Sequence, residues 1–373
     1  MRSSPSAAGR SLGSDLTVGD MDESAGKASS DPRRYFEEAG DVLGATVEKD
    51  PVCLYLETTN RCNLLCTTCP RTFEALEPPA DMSWELFTSI VDQFPRIARV
   101  VLHGIGEPMM VRDLPRMIRY LKDRGTYVLF NTNGTLLTRK RGLELIDAGL
   151  DELRVSLDAA EPKAFALVRG RDLFDSIVRN LRNFTALQRE LHADTPKVSL
   201  WLTGLKETIG QLPAFVRLAH ELGIGEVYLQ RLVYFEDGQG LARSQSSLFE
   251  RTEDPEGQVI REAERLAADL GLSFNASGAT EPGTSLKKNG ADQPWSLCRR
   301  PWTLMYFTAH GRAIPCCIAP FSMRGYDSFT LGNATQQSLR EIWNGERYQD
   351  FRRALLSSEP PKACANCGLR WSL

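Results

Sequence analysis

The feature that most constrains the fold is a regular alternation of short apolar strands and amphipathic helices, which begins near residue 50. Six strands are predicted, at residues 52–57, 98–104, 127–134, 152–158, 197–203 and 226–232. A helix is predicted after each of the first five. The strands are apolar along both faces, which is typical of a parallel sheet covered by helices. A barrel, a partial barrel and a doubly wound sheet all satisfy this pattern, and each binds ligands at the carboxyl ends of its strands.

Polar or glycine-containing segments follow the first four strands at that end. They are TTNRC (58–62), HGIGEP (103–108), NTNG (131–134) and SLDA (156–159). Because the carboxyl ends of parallel strands meet at one edge of a sheet, we expect these four segments to form one shared site.

Length and charge set further limits. The chain has 373 residues, enough for one large domain with an appendage or for two domains. Its net charge of −3 provides no bulk attraction to nucleic acid or to an anionic membrane. It contains no apolar run long enough to span a bilayer. We therefore expect a cytoplasmic protein without a nucleic-acid or membrane partner.

The first 45 residues are predicted to be a disordered tail. Their N-terminal part is rich in Ser, Gly, Ala and Asp and lacks the apolar core of a secretory signal. Without an export signal, the nine cysteines of the chain argue against a disulfide framework and favour metal or redox chemistry. The cysteines also fall into two groups, and none lies between Cys69 and Cys298.

The first group contains a C-x3-C-x2-C motif formed by Cys62, Cys66 and Cys69. A zinc site and a fully ligated iron–sulfur cube both need four ligands, so half of a zinc site is one interpretation. The motif and its position after the first strand resemble those of the radical S-adenosylmethionine (SAM) family. That resemblance implies a 4Fe–4S cluster whose fourth iron binds SAM, and reductive cleavage of SAM to a 5′-deoxyadenosyl radical.

The resemblance extends to the segments after strands two to four. The segment GIGEP is similar to the family's G-G-E-P motif, with Ile105 in place of the first glycine, and NTNG and SLDA are similar to its ribose-contacting and strand-four segments. Thr68 departs from the aromatic residue that often precedes the third cysteine. The residues that the resemblance implies as SAM contacts are Gly106, Glu107, Asn131 or Asn133, Ser156, Asp158 and Arg169.

The second group of cysteines ends the chain. Cys298, Cys316, Cys364 and Cys367 provide four thiolates, which on spacing alone also suit a zinc ribbon. The surrounding sequence resembles the SPASM/twitch extension of radical SAM enzymes, which implies one auxiliary 4Fe–4S cluster with these four ligands. Cys317 could replace Cys316, but neighbouring residues of a strand face opposite sides, so we expect only one of the two to be a ligand.

These resemblances imply a fold and a domain order. We expect an α/β protein with a partial (β/α)6 barrel of the radical SAM type, followed by a small cysteine-rich α+β SPASM/twitch domain. The expected order is a tail at 1–45, a radical SAM core at 46–235, a linker that shapes the substrate site at 236–294, and the auxiliary-cluster domain at 295–373.

The reaction is expected from the same resemblance to be the oxidation of a secondary alcohol of a sugar or aminocyclitol, with the auxiliary cluster accepting an electron. Alternatives are an epimerase, a peptide-modifying maturase and, from another class, a non-enzymatic zinc or iron–sulfur protein. Expected partners are a small-molecule or peptide substrate and an electron donor such as flavodoxin or ferredoxin. The sequence identifies no catalytic side chain.

Overall fold

The computed structural model of the protein describes residues 43–94, 97–234, 238–249, 254–277, 282–286, 293–365 and 367. The tail predicted at 1–45 lies outside these residues as far as residue 42. The described strands are β1 Cys53–Leu56, β2 Arg99–Val101, β3 Tyr127–Thr132, β4 Glu152–Ser156, β5 Lys197–Gly204, β6 Glu226–Arg231, β7 Ser273–Ala276, β8 Leu304–Phe307, β9 Arg312–Ile314 and β10 Gly332–Asn333.

Twelve α-helices are described in the same part of the chain. They are α1 Trp84–Val91, α2 Leu114–Lys122, α3 Arg139–Asp147, α4 Pro162–Arg169, α5 Phe174–Glu190, α6 Leu212–Glu221, α7 Asp254–Asp269, α8 Pro282–Ser285, α9 Ala319–Ser322, α10 Leu339–Trp343, α11 Glu346–Leu355 and α12 Lys362–Ala365. All six predicted strands and the helices predicted after the first five are therefore confirmed. The sequence interpretation did not include α4, β7 or the short helices α8, α9 and α12.

The strands form one ten-stranded sheet in the order β10-β9-β8-β1-β2-β3-β4-β5-β6-β7. The pairs from β8 through β1 to β7 are parallel, and β9 and β10 add antiparallel strands beyond β8. This arrangement confirms the parallel α/β architecture. It also brings the carboxyl ends of β1 to β6 to one edge of the sheet, as the ligand site requires.

Helix α1 illustrates how the sequence covers this sheet. Ser83 caps its first turn by accepting a hydrogen bond from the Leu86 amide at 3.1 Å. Its apolar side chains Phe87, Ile90 and Val91 are buried in the main core. An N-cap serine and a three-to-four-residue apolar spacing are the two signals from which the helix was predicted.

The sheet crosses the predicted domain junctions. Strand β7, from the segment predicted as a linker, pairs in parallel with β6. Strand β8, from the segment predicted as the auxiliary-cluster domain, pairs in parallel with β1, so that Leu54 lies opposite Met305. The cysteine-rich segment therefore packs directly beside the strand that precedes the C-x3-C-x2-C motif.

The C-terminal helical segment is interrupted once. Helices α10 and α11 are separated by Asn344 and Gly345, and Ser338 and Glu341 form a capping box at the start of α10. Within the described part of the chain, no helix combines the length and the apolar character that a membrane crossing needs.

Candidate active site

A single cavity opens at the carboxyl ends of the parallel strands. We call it the strand-end cavity. The residues that the sequence analysis assigned to the first cluster and to SAM all line it, namely Cys62, Cys66, Cys69, Gly106, Glu107, Asn131, Asn133, Ser156, Asp158 and Arg169. The structure thus brings the four strand-end segments together around one space, although their individual roles stay predictions.

The three cysteines lie on the loop between β1 and α1. Burial raises the pKa of the Cys62 thiol, and burial raises that of Cys69 to about 12. Nitrogen donors approach two of the sulfur atoms: Asn133 Nδ2 lies 3.8 Å from Cys62 Sγ, and Arg169 Nη1 lies 3.6 Å from Cys66 Sγ. Partly buried thiols with donors beside two of them suit the cationic core of an iron–sulfur cluster, because iron displaces the thiol protons and the donors stabilise the sulfur charge.

The arrangement of these three thiols differs from that of a site for a single metal ion. Among the described residues, no three His, Cys, Asp or Glu side chains are grouped so that they could hold one metal ion. In a four-iron cube each thiolate binds a different iron, so its ligands lie farther apart than those of a single ion. The relevant observation for a cube is that the three thiols line one cavity.

The Glu107 carboxylate accepts three hydrogen bonds from other residues of the protein. Its Oε1 accepts hydrogen bonds from the Met109 amide at 3.0 Å and the Thr132 hydroxyl at 2.8 Å, and its Oε2 accepts one from the Asn133 amide at 2.7 Å. Burial raises the pKa of this carboxyl, while the amide donors oppose the shift. Glu107 therefore connects the loop after β2 to the end of β3 and the loop that follows it.

Gly106 allows two loops to touch. A Cβ atom at this position would lie 2.2 Å from the Thr59 carbonyl oxygen and 2.6 Å from the Arg61 carbonyl oxygen. The next amide, that of Glu107, donates to the Arg61 carbonyl at 2.8 Å. The glycine is thus required for the β2 loop to pack against the cysteine loop, a reason that the motif alone does not reveal.

The two asparagines of NTNG have different environments. The Asn133 side chain donates to Asn63 Oδ1 at 2.8 Å and accepts from the Thr135 amide and hydroxyl at 3.0 and 2.6 Å. The Asn133 side chain therefore links the loop after β3 to the cysteine loop. Asn131 is partly exposed in the strand-end cavity and is the better candidate of the two to contact a ribose.

Asp158 and Arg169 form a buried ion pair, with Oδ2 and Nη2 2.6 Å apart. Asp158 also accepts a hydrogen bond from the Thr203 amide at 2.7 Å and has a left-handed backbone with φ of 62°. Burial alone would lower the pKa of Arg169, but the Asp158 carboxylate raises it above its ordinary value. The pair holds the Arg169 guanidinium against Cys66, so its position suits the cluster as well as a SAM carboxylate.

Arg154 and Trp201 also line the cavity, and the sequence analysis did not single them out. Arg154 lies on β4, pairs with Glu152 at 2.6 Å, and has its guanidinium 4.8 Å from the centre of the Trp201 ring. Trp201 stacks on Tyr228 with ring centres 3.8 Å apart. The signal available was a glutamate and an arginine two residues apart in a predicted strand, because charged residues are rarely buried without a partner.

A second cavity, which we call the four-cysteine cavity, lies among the C-terminal elements. Its lining includes the four cysteines that were assigned to the auxiliary cluster: Cys298, Cys316, Cys364 and Cys367. Cys317 lines the strand-end cavity instead. This geometry favours Cys316 over Cys317 as the fourth ligand. The expectation that the two lie on a strand was wrong, because β9 ends at Ile314 and Cys317 lies in a turn.

Comparison with protein families identifies the class. The family model for the radical SAM superfamily matches residues 56–219, and the SPASM iron–sulfur cluster-binding domain matches residues 298–368. Together with the sheet and the two cavities, these matches show that the chain contains a radical SAM domain and a SPASM domain.

Four named relatives align with most of the chain. The tungsten-containing aldehyde ferredoxin oxidoreductase cofactor-modifying protein of Pyrococcus furiosus is 26% identical and covers 85% of this chain and 87% of its own. The PqqA peptide cyclase of Gluconobacter oxydans is 26% identical, covering 87% and 86%. The mycofactocin maturase MftC of Mycolicibacterium smegmatis is 25% identical, covering 85% and 76%. An AdoMet-dependent heme synthase of Methanosarcina barkeri is also similar, at 26% identity over 86% and 88%.

Among solved structures, SuiB of Streptococcus suis shares the fold. With SAM bound it superposes with a TM-score of 0.62 and 17% identity, covering 81% of this chain and 68% of SuiB. In complex with the precursor peptide SuiA the TM-score is 0.60 and the identity 13%, covering 94% and 84%. This likeness supports the predicted fold, a radical SAM core followed by a cysteine-rich domain.

The two domains imply a 4Fe–4S cluster, an auxiliary iron–sulfur cluster and SAM. The thiols that line the strand-end and four-cysteine cavities have the chemistry that such clusters need. When bound, SAM and the first cluster supply a 5′-deoxyadenosyl radical, and the protein positions the substrate and shields it from water.

Proposed function

We propose that the protein is a radical SAM enzyme that modifies a peptide. In this proposal Cys62, Cys66 and Cys69 hold the SAM-binding cluster, and Cys298, Cys316, Cys364 and Cys367 hold the auxiliary cluster. The relatives named for peptide cyclisation and maturation support peptide modification better than they support the expected oxidation of a sugar or aminocyclitol. They align with about the same share of the chain as the other named relatives. The relatives named for cofactor modification and heme synthesis define the alternatives to be tested.

The observation that carries the proposal is a second opening that continues from the strand-end cavity. This outer cleft is lined by residues of the loop after β6, of the segment around Phe249, and of α12. It shares Arg231, Leu232 and Val233 with the strand-end cavity. A ligand that extends through both openings suits a chain such as a peptide better than a compact sugar.

The lining of the outer cleft also suits a peptide. It combines aromatic side chains, Tyr234 and Phe249, with the basic side chains Arg231, Arg324 and Lys362. Arg231 lies over the Phe249 ring, with its guanidinium carbon 3.3 Å from the ring centre. Aromatic and arginine side chains are common anchors in peptide-binding surfaces.

The test is a substrate panel with anaerobically reconstituted enzyme, SAM and a reductant. The panel contains the short peptides encoded beside the gene, together with sugars, aminocyclitols and an iron porphyrin. We expect a peptide to increase the yield of 5′-deoxyadenosine and to change in mass, and Cys66→Ala to abolish both. Stimulation by a sugar, an aminocyclitol or a porphyrin, with every peptide inert, would overturn the proposal.

Epimerisation of a peptide residue is the second candidate, because the Cys317 thiol lines the strand-end cavity. A thiol can return a hydrogen atom to a carbon radical from the opposite face. In deuterium oxide an epimerised peptide gains one deuterium, and Cys317→Ala should prevent this gain while 5′-deoxyadenosine still forms. A cross-linked peptide that has lost two hydrogens would favour cyclisation instead.

The electron donor is also part of the proposal. We propose that a flavodoxin or a ferredoxin reduces the first cluster, as the family resemblance implies. Replacing dithionite by each purified donor system in the same assay, with 5′-deoxyadenosine as the readout, tests this step independently of the peptide.

A further inference from the structure

The four-cysteine cavity contains one charged side chain that the proposed function does not use. Arg300 lies on a short 3₁₀ helix, Arg300–Trp302, that precedes β8. Its side chain is 2% exposed and lines the cavity beside the four cysteines. Among the described residues that line this cavity, it is the only aspartate, glutamate, lysine or arginine.

Arg300 acts electrostatically on several of these sulfur atoms. Only Arg299 separates it from Cys298 in the chain, and it lines the same cavity as Cys298, Cys316, Cys364 and Cys367. A buried guanidinium charge in this position stabilises negative charge on the sulfur atoms around it.

We propose that Arg300 raises the reduction potential of the auxiliary cluster held by Cys298, Cys316, Cys364 and Cys367. Reduction adds one negative charge to a cluster that four thiolates already make anionic. A buried cation stabilises the more negative, reduced state more strongly than the oxidised state. Because Arg300 is buried, salt and water screen this attraction only weakly.

The arrangement makes Arg300 a positioning and tuning residue. It acts on the cluster through the sulfur ligands, as hydrogen-bond donors around metal ligands commonly do. The consequence is a cluster that accepts an electron more readily than the same four thiolates would in an uncharged apolar cavity. The inference rests on the proposed ligand assignment and does not depend on the identity of the peptide.

The experiment measures a potential instead of an activity. The full-length chain is prepared with Cys62, Cys66 and Cys69 replaced by Ala, so that the auxiliary cluster alone contributes to the spectrum. Arg300→Met, Arg300→Gln and Arg300→Lys are introduced in this background. After anaerobic reconstitution and iron analysis, the midpoint potential is determined by redox titration with electron paramagnetic resonance detection.

We expect Arg300→Met and Arg300→Gln to reduce the equilibrium constant for one-electron reduction by about tenfold or more, which is a shift of about 59 mV to lower potential. Arg300→Lys should restore most of the difference, because it keeps the charge. Arg340→Met serves as the control, since its side chain is 70% exposed in the same part of the chain, and it should leave the potential unchanged.

Three results would overturn the inference. The first is an unchanged potential in a neutral variant that contains its iron. The second is an equal shift in the lysine and neutral variants, which would indicate a structural effect. The third is loss of iron from both neutral variants but not from the lysine variant, which would assign Arg300 to cluster assembly. A peptide assay without product would leave the measured potential unaffected, so the two proposals fail separately.

Discussion

Cys316 and Cys317 are neighbours in the chain, yet their side chains line different cavities. Cys316 lines the four-cysteine cavity and Cys317 the strand-end cavity. The two residues follow β9 after Pro315. One peptide unit therefore connects the four-cysteine cavity to the strand-end cavity.

This relationship predicts different metal contents for two variants. Cys316→Ala should lower the iron content of anaerobically reconstituted protein from about eight to about four atoms per chain, because a four-iron cluster loses one of its thiolates. Cys317→Ala, the matched control, should keep about eight. Iron and sulfide analysis with the absorbance near 400 nm measures both, and the reverse pattern would make Cys317 the ligand.

Loss of one charge of the Asp158–Arg169 ion pair is expected to lower the free energy of unfolding strongly. Asp158→Asn should lower the free energy of unfolding by about 3–5 kcal/mol, because it leaves the Arg169 charge buried without its partner. Asparagine tolerates the left-handed backbone at this position, so the substitution isolates the charge. Urea denaturation of matched preparations measures the difference.

An exposed pair serves as the control for that measurement. Arg139 and Glu190 lie 2.7 Å apart, but each side chain is 57% exposed. Glu190→Gln should change the free energy of unfolding by no more than about 1 kcal/mol. Similar costs for the two substitutions would show that the buried pair has no special importance.

Gly106→Ala should destabilise the protein by about 1–3 kcal/mol or more, because the new methyl group collides with backbone that cannot move aside easily. The Thr59 carbonyl oxygen would lie only 2.2 Å from it. Gly210→Ala is the matched control, since a Cβ there has no neighbour within 4 Å. The thermal unfolding midpoint compares the two, and equal midpoints would contradict the packing argument.

Glu57 predicts a pH dependence of stability. The carboxyl is fully buried, accepts hydrogen bonds from the Ile105 amide at 2.9 Å and the Tyr306 hydroxyl at 3.1 Å, and joins the β2 loop to β8. Burial raises its pKa from an ordinary 4.5 to about 7. Between these two values the folded protein binds more protons than the unfolded chain, so stability falls as the pH rises.

The size of this effect is about 3 kcal/mol between pH 4.5 and pH 7, at 1.36 kcal/mol for each unit of pKa. The measurement is the free energy of unfolding at several pH values from 5 to 8, for the wild-type protein and for Glu57→Gln. The variant, which cannot titrate here, should lose this part of the slope. Parallel pH profiles for the two proteins would contradict the assignment.

Much of the fold was predictable from local patterns. Periodicity alone located β1 to β6 and the helices after the first five of them, because an apolar strand and an amphipathic helix each have a characteristic spacing. The polar segments from TTNRC to SLDA also pointed to one edge, since parallel strands share a direction. The spacing of Cys62, Cys66 and Cys69 carried the resemblance that the family comparison confirmed.

Only the tertiary structure reveals the contacts between residues that are far apart in the chain. No local pattern shows that β8 pairs with β1 or that Gly106 lies against Thr59. Nor does one show that Glu107 accepts hydrogen bonds from Thr132 at the end of β3 and from Asn133 after it. These contacts join residues far apart in the chain, and they arise from how the loops pack once the sheet has formed. Spacing indicated that only one of Cys316 and Cys317 faces the auxiliary cluster, and the fold determined which one.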